Sequence, residues 1–344
     1  MNRIVMFMRR ERLYILLLIF IILINIVMSM PAEKGVKAEA KKSEIALSLK
    51  GKDLEAILAK DRTLNIILSL SSLLIAAVLL LGIIIDTLLV SFKLKKNRIG
   101  IAAYKPKRVS WNISDVARVV ILFFFFGYTI VVIEASLIRV FPVLKDDNFR
   151  MMVNTSVLDV LAVVFIIYFT VNRYHEAISS LGLSMKNFLK NVFYGIVGYI
   201  AAAPVLIAAL LLVTYIVGVT KYIPEVQPIV ELFLKEKNAP FLVYTSLFAA
   251  IIGPFVEELF FRGFMYNAFK KKAGIFWATL VTAGLFAALH TNAAGFLPIL
   301  VLGILLTYLY EKTGTLVSSI TVHITHNLIM VFFVFLVKRI GVYG

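Results

Sequence analysis

Residues 241–269 read FLVYTSLFAAIIGPFVEELFFRGFMYNAF. Apart from Glu257, Glu258 and Arg262 the stretch carries no charge, and it exceeds the ~20 apolar residues a helix needs to cross a bilayer. An isolated carboxylate in hydrocarbon costs several kcal/mol, so an ionisable cluster at such depth is by default a functional site. Two adjacent carboxylates there demand partners elsewhere in the chain.

The surrounding sequence has the same character. Of 344 residues, 61% are hydrophobic and the mean hydropathy is +0.93, against ~45–50% apolar residues in an ordinary soluble domain. The apolar residues fall into runs near 13–30, 64–92, 117–138, 153–172, 192–217, 240–262, 274–291, 295–311 and 314–337. The expected fold class is therefore all-α, a polytopic membrane helical bundle of about eight or nine transmembrane helices. Three regions are expected: an N-terminal signal-anchor helix with a polar linker over 1–62, accessory transmembrane helices over 63–181, and a catalytic transmembrane core over 182–344.

Arg3, Arg9, Arg10 and Arg12 precede the first span, the pattern of an uncleaved anchor with its N-terminus in the cytoplasm. Cleavage near Lys37–Ala40 is the alternative, although the apolar run is long for a signal peptide. Within the polar stretch 31–62, Ile45, Leu47, Leu49, Leu54, Ile57 and Leu58 can line one side of an interfacial helix; a plain linker is the other reading. Residues 182–186 suit a short amphipathic lead-in to the fifth span.

The chain has no cysteine, which excludes disulfides, thiolate catalysis and Cys-ligated metal. Its formal net charge is +16. In a polytopic protein such an excess belongs to loops, where Lys and Arg set topology and meet anionic headgroups, so no nucleic-acid partner is expected. The expected setting is a multi-pass protein of a prokaryotic cell membrane, with oligomeric state left open. Nine spans from a cytoplasmic N-terminus place the 270–274 turn inside and the site nearer the outer leaflet, and the leaflet to which it opens stays open.

Asp86, Glu134 and Asp159 also lie within spans and read as structurally paired acids. The last hundred residues differ. Three of the four histidines, His290, His323 and His326, occur there in apolar helices, whereas His175 sits in a loop beside Arg173 and Glu176. Glu258 and Arg262 are four apart with the acid first, the favourable order for an ion pair on one helix face. Glu257 is turned ~100° away from Glu258 and is free for other work. His323 and Asn327 share a face, and Phe286 lies one turn below His290. Counting from the Lys270–Gly274 turn at ~1.5 Å per residue, Glu257 and His290 both lie ~23–26 Å away. Pro254 has no N–H for the carbonyl of Ala250 and predicts a kink just before the pair.

A buried carboxylate beside neutral imidazoles suits general-base activation of water, and Asn and His donors suit an oxyanion hole. The H-E-x-x-H motif of metalloproteases, a rhomboid-type serine setting and an intramembrane Asp pair with one member in G-x-G-D are all absent from the sequence. Two histidines and a glutamate can also hold Zn²⁺.

Glu257-Glu258-Leu-Phe-Phe-Arg262 fits E-E-x-x-x-R, Phe286-Ala-Ala-Leu-His290 fits F-x-x-x-H, and His323-Ile-Thr-His-Asn327 fits H-x-x-x-N. In this order the three motifs resemble the CPBP family of CAAX proteases and bacteriocin-processing enzymes, the type II CAAX prenyl endopeptidases, over residues 182–337. The resemblance implies a metal-independent intramembrane glutamate protease, without cofactor, acting on a membrane-associated protein or peptide substrate. It implies Glu257 and His290 as water activators, His323 and Asn327 as oxyanion stabilisers, and Glu258 and Arg262 as supports. His326 lies outside the pattern. A non-catalytic scaffold or bacteriocin-immunity protein of the same fold is the alternative. A proton-coupled transporter using Glu257 and the histidines as a relay is a third reading.

Overall fold

The computed structural model describes residues 3–29, 57, 59–94, 109–222, 224, 226–290 and 293–340, and among these there are helices and no strands. The alternative cleavage region at 37–40 and most of the stretch read as an interfacial helix lie outside the described residues. Seven helices are long and apolar enough to cross a membrane, and Arg12–Ile26 is a shorter apolar helix. The chain is a multi-pass integral membrane protein. One of the seven, Ala239–Leu289, is 51 residues long. It is broken at Gly274, whose φ of 75° and ψ of 177° suit a residue without Cβ. The Phe261 and Phe286 rings stand 5.2 Å apart, so the two arms fold back on each other as antiparallel helices.

In chain order the helices are α1 (Arg3–Arg10), α2 (Arg12–Ser29), α3 (Arg62–Leu94), α4 (Ile113–Leu137), α5 (Asp147–Ile167), α6 (Phe188–Thr220), the short α7 (Pro228–Lys235), α8 (239–273), α9 (275–289), α10 (Ala293–Thr313) and α11 (Leu316–Arg339). The chain divides into two compact units, Met1–Ser48 with Ile113–Phe169, and Leu49–Asn112 with Thr170–Gly344.

In the first unit, Arg118 of α4 is buried against two acids. Its Nε donates to Glu11 Oε2 at 2.9 Å, its other nitrogens pair with Glu11 Oε1 and Asp115, and it lies 5.5 Å over the Tyr14 ring. Further along, Asn154 of α5 donates to Glu134 of α4 at 3.0 Å, so that intramembrane acid is structurally paired as expected. Asp146 caps α5 by accepting from the N–H groups of Asn148 and Phe149.

The hydrogen bond from Arg118 holds the Glu11 carboxyl below the usual carboxylate range. A depressed native value means that the stabilisation is complete above the unfolded glutamate value of ~4.3 and fades as pH falls from there through the native value. Glu11→Gln should therefore destabilise this unit by about 1.5–3 kcal/mol at neutral pH, and by progressively less below pH ~4. Thermal unfolding in detergent across that range checks both the size and the sign.

The second unit packs through small residues, as membrane helices do when backbones must come close. A Cβ on Gly195 of α6 would meet the Ser318 carbonyl of α11 at 2.7 Å, and one on Gly303 of α10 would meet Ala283 of α9 at 3.1 Å. Pro204 inside α6 cannot bond the Ile200 carbonyl. Gly82 of α3 approaches that same carbonyl, which a Cβ there would meet at 2.5 Å. Leu302, Leu306, Leu309 and Val322 form a buried apolar cluster between α10 and α11, with Tyr199 of α6 packed against it.

Candidate active site

α8 is not a regular helix around its glutamates. Residues Phe248–Ile252 and Leu259–Tyr266 are π-helical, on either side of the short α-helical turn Gly253–Glu258. Such π segments recur at functional sites because each leaves a backbone group needing an outside partner. The N–H of Gly253 bonds Phe248 O, five residues back, and Pro254 has no N–H to give. The Ala249 carbonyl is thereby left without a helical donor, and Asn327 Nδ2 of α11 supplies one at 2.9 Å. Sequence reading places the orphan at Ala250; the π register moves it back one residue.

The second π segment is held in the same way. Asn267 Nδ2 donates to Gly263 O at 2.7 Å, and Trp111 Nε1 donates to Phe264 O at 2.9 Å while stacking on the Phe264 ring at 5.4 Å. Trp111 is fully buried. A Cβ on Gly263 would meet Leu181 O at 2.9 Å, so only glycine lets the 178–182 segment lie against this turn.

Between the two π segments the glutamates diverge. Glu258 is 0% exposed, and its Oε1 accepts from Arg262 at 2.7 Å and from His323 Nδ1 at 3.0 Å. Arg262 is buried too, donating to Gly303 O at 3.3 Å and lying 4.5 Å over the Phe286 ring. This ion pair has the i, i+4 geometry read from the spacing. Glu257 is different: its side chain is 39% exposed, its Oε2 makes no hydrogen bond, and that oxygen lies 3.5 Å from His323 Nε2. His323 therefore stands between the two carboxylates, one ring nitrogen facing each.

His290 is half-buried at the end of α9, and its Nδ1 is 2.8 Å from Phe286 O. A carbonyl only accepts, so Nδ1 carries a proton, and in the neutral imidazole Nε2 is the acceptor. The Phe286 ring touches the rings of both His290 and His323, at 4.8 and 5.5 Å, forming a shared floor. His326 meets Tyr199 Oη at 3.0 Å through Nδ1. Glu257, Glu258, Arg262, His323 and Phe286 are thus one contact cluster, with His290 in an edge-to-face contact with Phe286 and Asn327 bracing the helix break beside it. Trp111, Tyr199 and the Ala249 carbonyl are additions to the residues found from sequence. Their partners are backbone groups or sequence-distant side chains, and none carries a motif. Among the described residues no three His, Asp or Glu side chains are grouped to hold a metal ion.

A family model described as Rce1-like, type II CAAX prenyl endopeptidase Rce1-like, matches residues 239–329, which contain all three motifs. The UPF0177 protein YxdF of Lactococcus lactis subsp. lactis (strain IL1403) is 30% identical over 149 residues, covering 42% of this chain and 78% of that protein. The "Putative membrane peptidase YdiL" of Bacillus subtilis (strain 168) is 25% identical over 117 residues, covering 34% of this chain and 46% of that protein. The "Uncharacterized protein YyaK" of the same organism is 34% identical over 124 residues, covering 32% and 40%. The chain thus spans most of the first relative and under half the length of the other two. No solved structure matches the chain at a significant level. With the whole glutamate–histidine constellation inside the matched segment, the chain belongs to the Rce1-like family of type II CAAX prenyl endopeptidase-like membrane proteins.

Proposed function

We propose that the protein is an intramembrane endopeptidase that cuts peptide bonds of membrane-associated substrates with a water activated by Glu257 and His290. The observation that carries this reading is the contrast between two neighbouring carboxylates: Glu258 is 0% exposed and sealed in an ion pair with Arg262, while the Glu257 side chain is 39% exposed and has no Lys or Arg partner among the described residues.

His323 Nε2 lies 3.5 Å from Glu257 Oε2. Glu257 is the base, and His323 is a donor when Nε2 carries a proton.

Water then bridges Glu257 and His290 Nε2. Its oxygen bonds to the scissile carbonyl carbon, its proton passes to Glu257, and the carbonyl electron pair moves onto oxygen. His323 Nε2–H and the second N–H of Asn327 stabilise that oxyanion, the first N–H of Asn327 being spent on Ala249. The C–N bond breaks as Glu257 returns the proton to the leaving amine. The products are an acid and an amine, and the net change is addition of one water.

The test is cleavage of a membrane-anchored peptide library by the purified chain in vesicles, with products identified by mass spectrometry. The wild type should cleave with undiminished rate in strong chelator, and His290→Ala should lower the rate about 10²–10³-fold. Loss of cleavage on chelation, restored by Zn²⁺, would replace the glutamate mechanism with a metal one. Absence of any cleavage would favour a scaffold.

A further inference from the structure

His326 lies outside the three motifs, yet it shares a helix face with two residues that lie inside them. At ~100° per residue on α11, His326 is turned ~60° from His323 toward Val322, and Asn327 is turned ~40° the other way. The two flanks meet different helices. His323 faces the glutamates of α8, and Asn327 bonds Ala249 O of that helix. On the other flank, Gly195 of α6 lies against Ser318 and Thr321, and Tyr199 of α6 packs on the cluster that holds Val322. His326 therefore stands at the seam between the reactive cluster and α6.

Its hydrogen bond crosses to α6. His326 Nδ1 is 3.0 Å from Tyr199 Oη, and the two rings meet edge to face at 6.0 Å. Which group donates follows from their chemistry. A phenol O–H is a far stronger acid than the N–H of a neutral imidazole, and an imidazole nitrogen is the better acceptor, so Oη–H donates to Nδ1. Among the described residues Tyr199 Oη has no second hydrogen-bond partner to compete. An Nδ1 that accepts leaves the neutral ring's proton on Nε2. The other two imidazoles are fixed the opposite way, because Nδ1 of His290 donates to Phe286 O and Nδ1 of His323 to Glu258. As neutral rings those two have an accepting Nε2, whereas His326 has a donating one. With Nδ1 turned toward α6, Nε2 on the far edge of the ring is turned toward the cluster, and His323 and His290 are the ring's electrostatic neighbours.

We infer that His326 binds substrate: its Nε2–H donates to a backbone carbonyl of the bound peptide beside the scissile bond, and Tyr199 is the positioning residue that holds that proton in place. What is bound rests on the protease reading; the tautomer does not. A peptide backbone carries a carbonyl at every residue, and each one buried without a donor costs binding. The scissile carbonyl is served by His323 and Asn327, so its neighbour is the acceptor left for His326. Such a bond is present before as well as during the reaction, and it therefore acts on KM.

With only four histidines in the chain, the tautomer can be read directly. Full-length protein carrying nitrogen-15 histidine is measured by NMR in detergent without substrate, and His326→Gln assigns the His326 signals by their loss. His326 should be neutral with Nε2 protonated and Nδ1 bare, and Tyr199→Phe should mix the two tautomers. A wild-type His326 protonated on Nδ1 overturns the assignment. Kinetics on a reporter peptide test the contact. His326→Phe keeps a ring against Tyr199 and loses both nitrogens. It should raise KM about three- to tenfold, the worth of one neutral hydrogen bond, with most of the loss in kcat/KM carried by KM. His326→Gln, whose amide brings an N–H near the place of Nε2, should recover most of that loss. Tyr199→Phe should raise KM in the wild type but not in the His326→Gln background, because it acts through the imidazole. An unchanged KM in His326→Phe, or a loss confined to kcat or to the thermal midpoint, overturns the contact and leaves the protease reading standing. A wild type that cleaves nothing removes the protease reading and the contact with it, while the NMR spectrum still decides the tautomer.

Discussion

Glutamine at position 257 should leave the protein folded and lower kcat for a reporter peptide by about 10²–10⁴-fold, the usual worth of a general base. Glutamine keeps the shape of the side chain and takes away only its ability to accept the water's proton. Folding should tolerate the change because Glu257 is part-exposed and its Oε2 has no hydrogen bond to lose. KM should move little, since no substrate contact is assigned to Glu257 apart from the attacking water. The comparison that gives the result meaning is Glu258→Gln. That variant takes the negative charge from the oxygen that Arg262 and His323 share and leaves the buried Arg262 without its counter-ion, so it should lower the thermal midpoint as well as the rate. A Glu257→Gln variant with kcat within a factor of about two of wild type would end the proposed role of this residue.

Much of this arrangement is legible in the sequence because it follows helical periodicity and charge. The apolar runs mark the helices, Lys270–Gly274 marks the hairpin, and the i, i+4 spacing of Glu258 and Arg262 gives their pairing before any coordinate is known. The bracing of the site is another matter. Pro254 announces a freed carbonyl, but whether Ala249 or Ala250 bears it depends on a register shift that the packed helices select. Trp111 reaches Phe264 O across 153 residues of chain, and Tyr199 reaches His326 across 127. Such bonds join a side chain to whatever a distant turn leaves unsatisfied, so they follow no period. The Glu11–Arg118–Asp115 cluster shows the same limit. Its i, i+3 half is local, whereas Glu11 joins only once two helices have docked.

Arg262→Met should be the most destabilising single change in the second unit, about 3–5 kcal/mol, because it strips a fully buried carboxylate of its countercharge. Arg262 also donates to Gly303 O and lies over Phe286, so its loss loosens α10 and the aromatic floor under both histidines. A membrane protein with a stability margin of about 5–15 kcal/mol would surrender much of it, and should express poorly or unfold early in detergent. The cause can be separated from simple loss of packing. If the uncompensated charge of Glu258 dominates, the double variant Glu258→Gln/Arg262→Met should recover most of the stability, giving a coupling of about 2–3 kcal/mol in the double-mutant cycle. The recovered protein should still cleave poorly, because His323 then loses the carboxylate that orients its ring toward Glu257. Additive losses, with the double variant worse than either single one, would mean that the guanidinium acts through Gly303 and Phe286 rather than through the acid. The ion pair would then be a consequence of the packing around it and not the reason two charges persist in this helix.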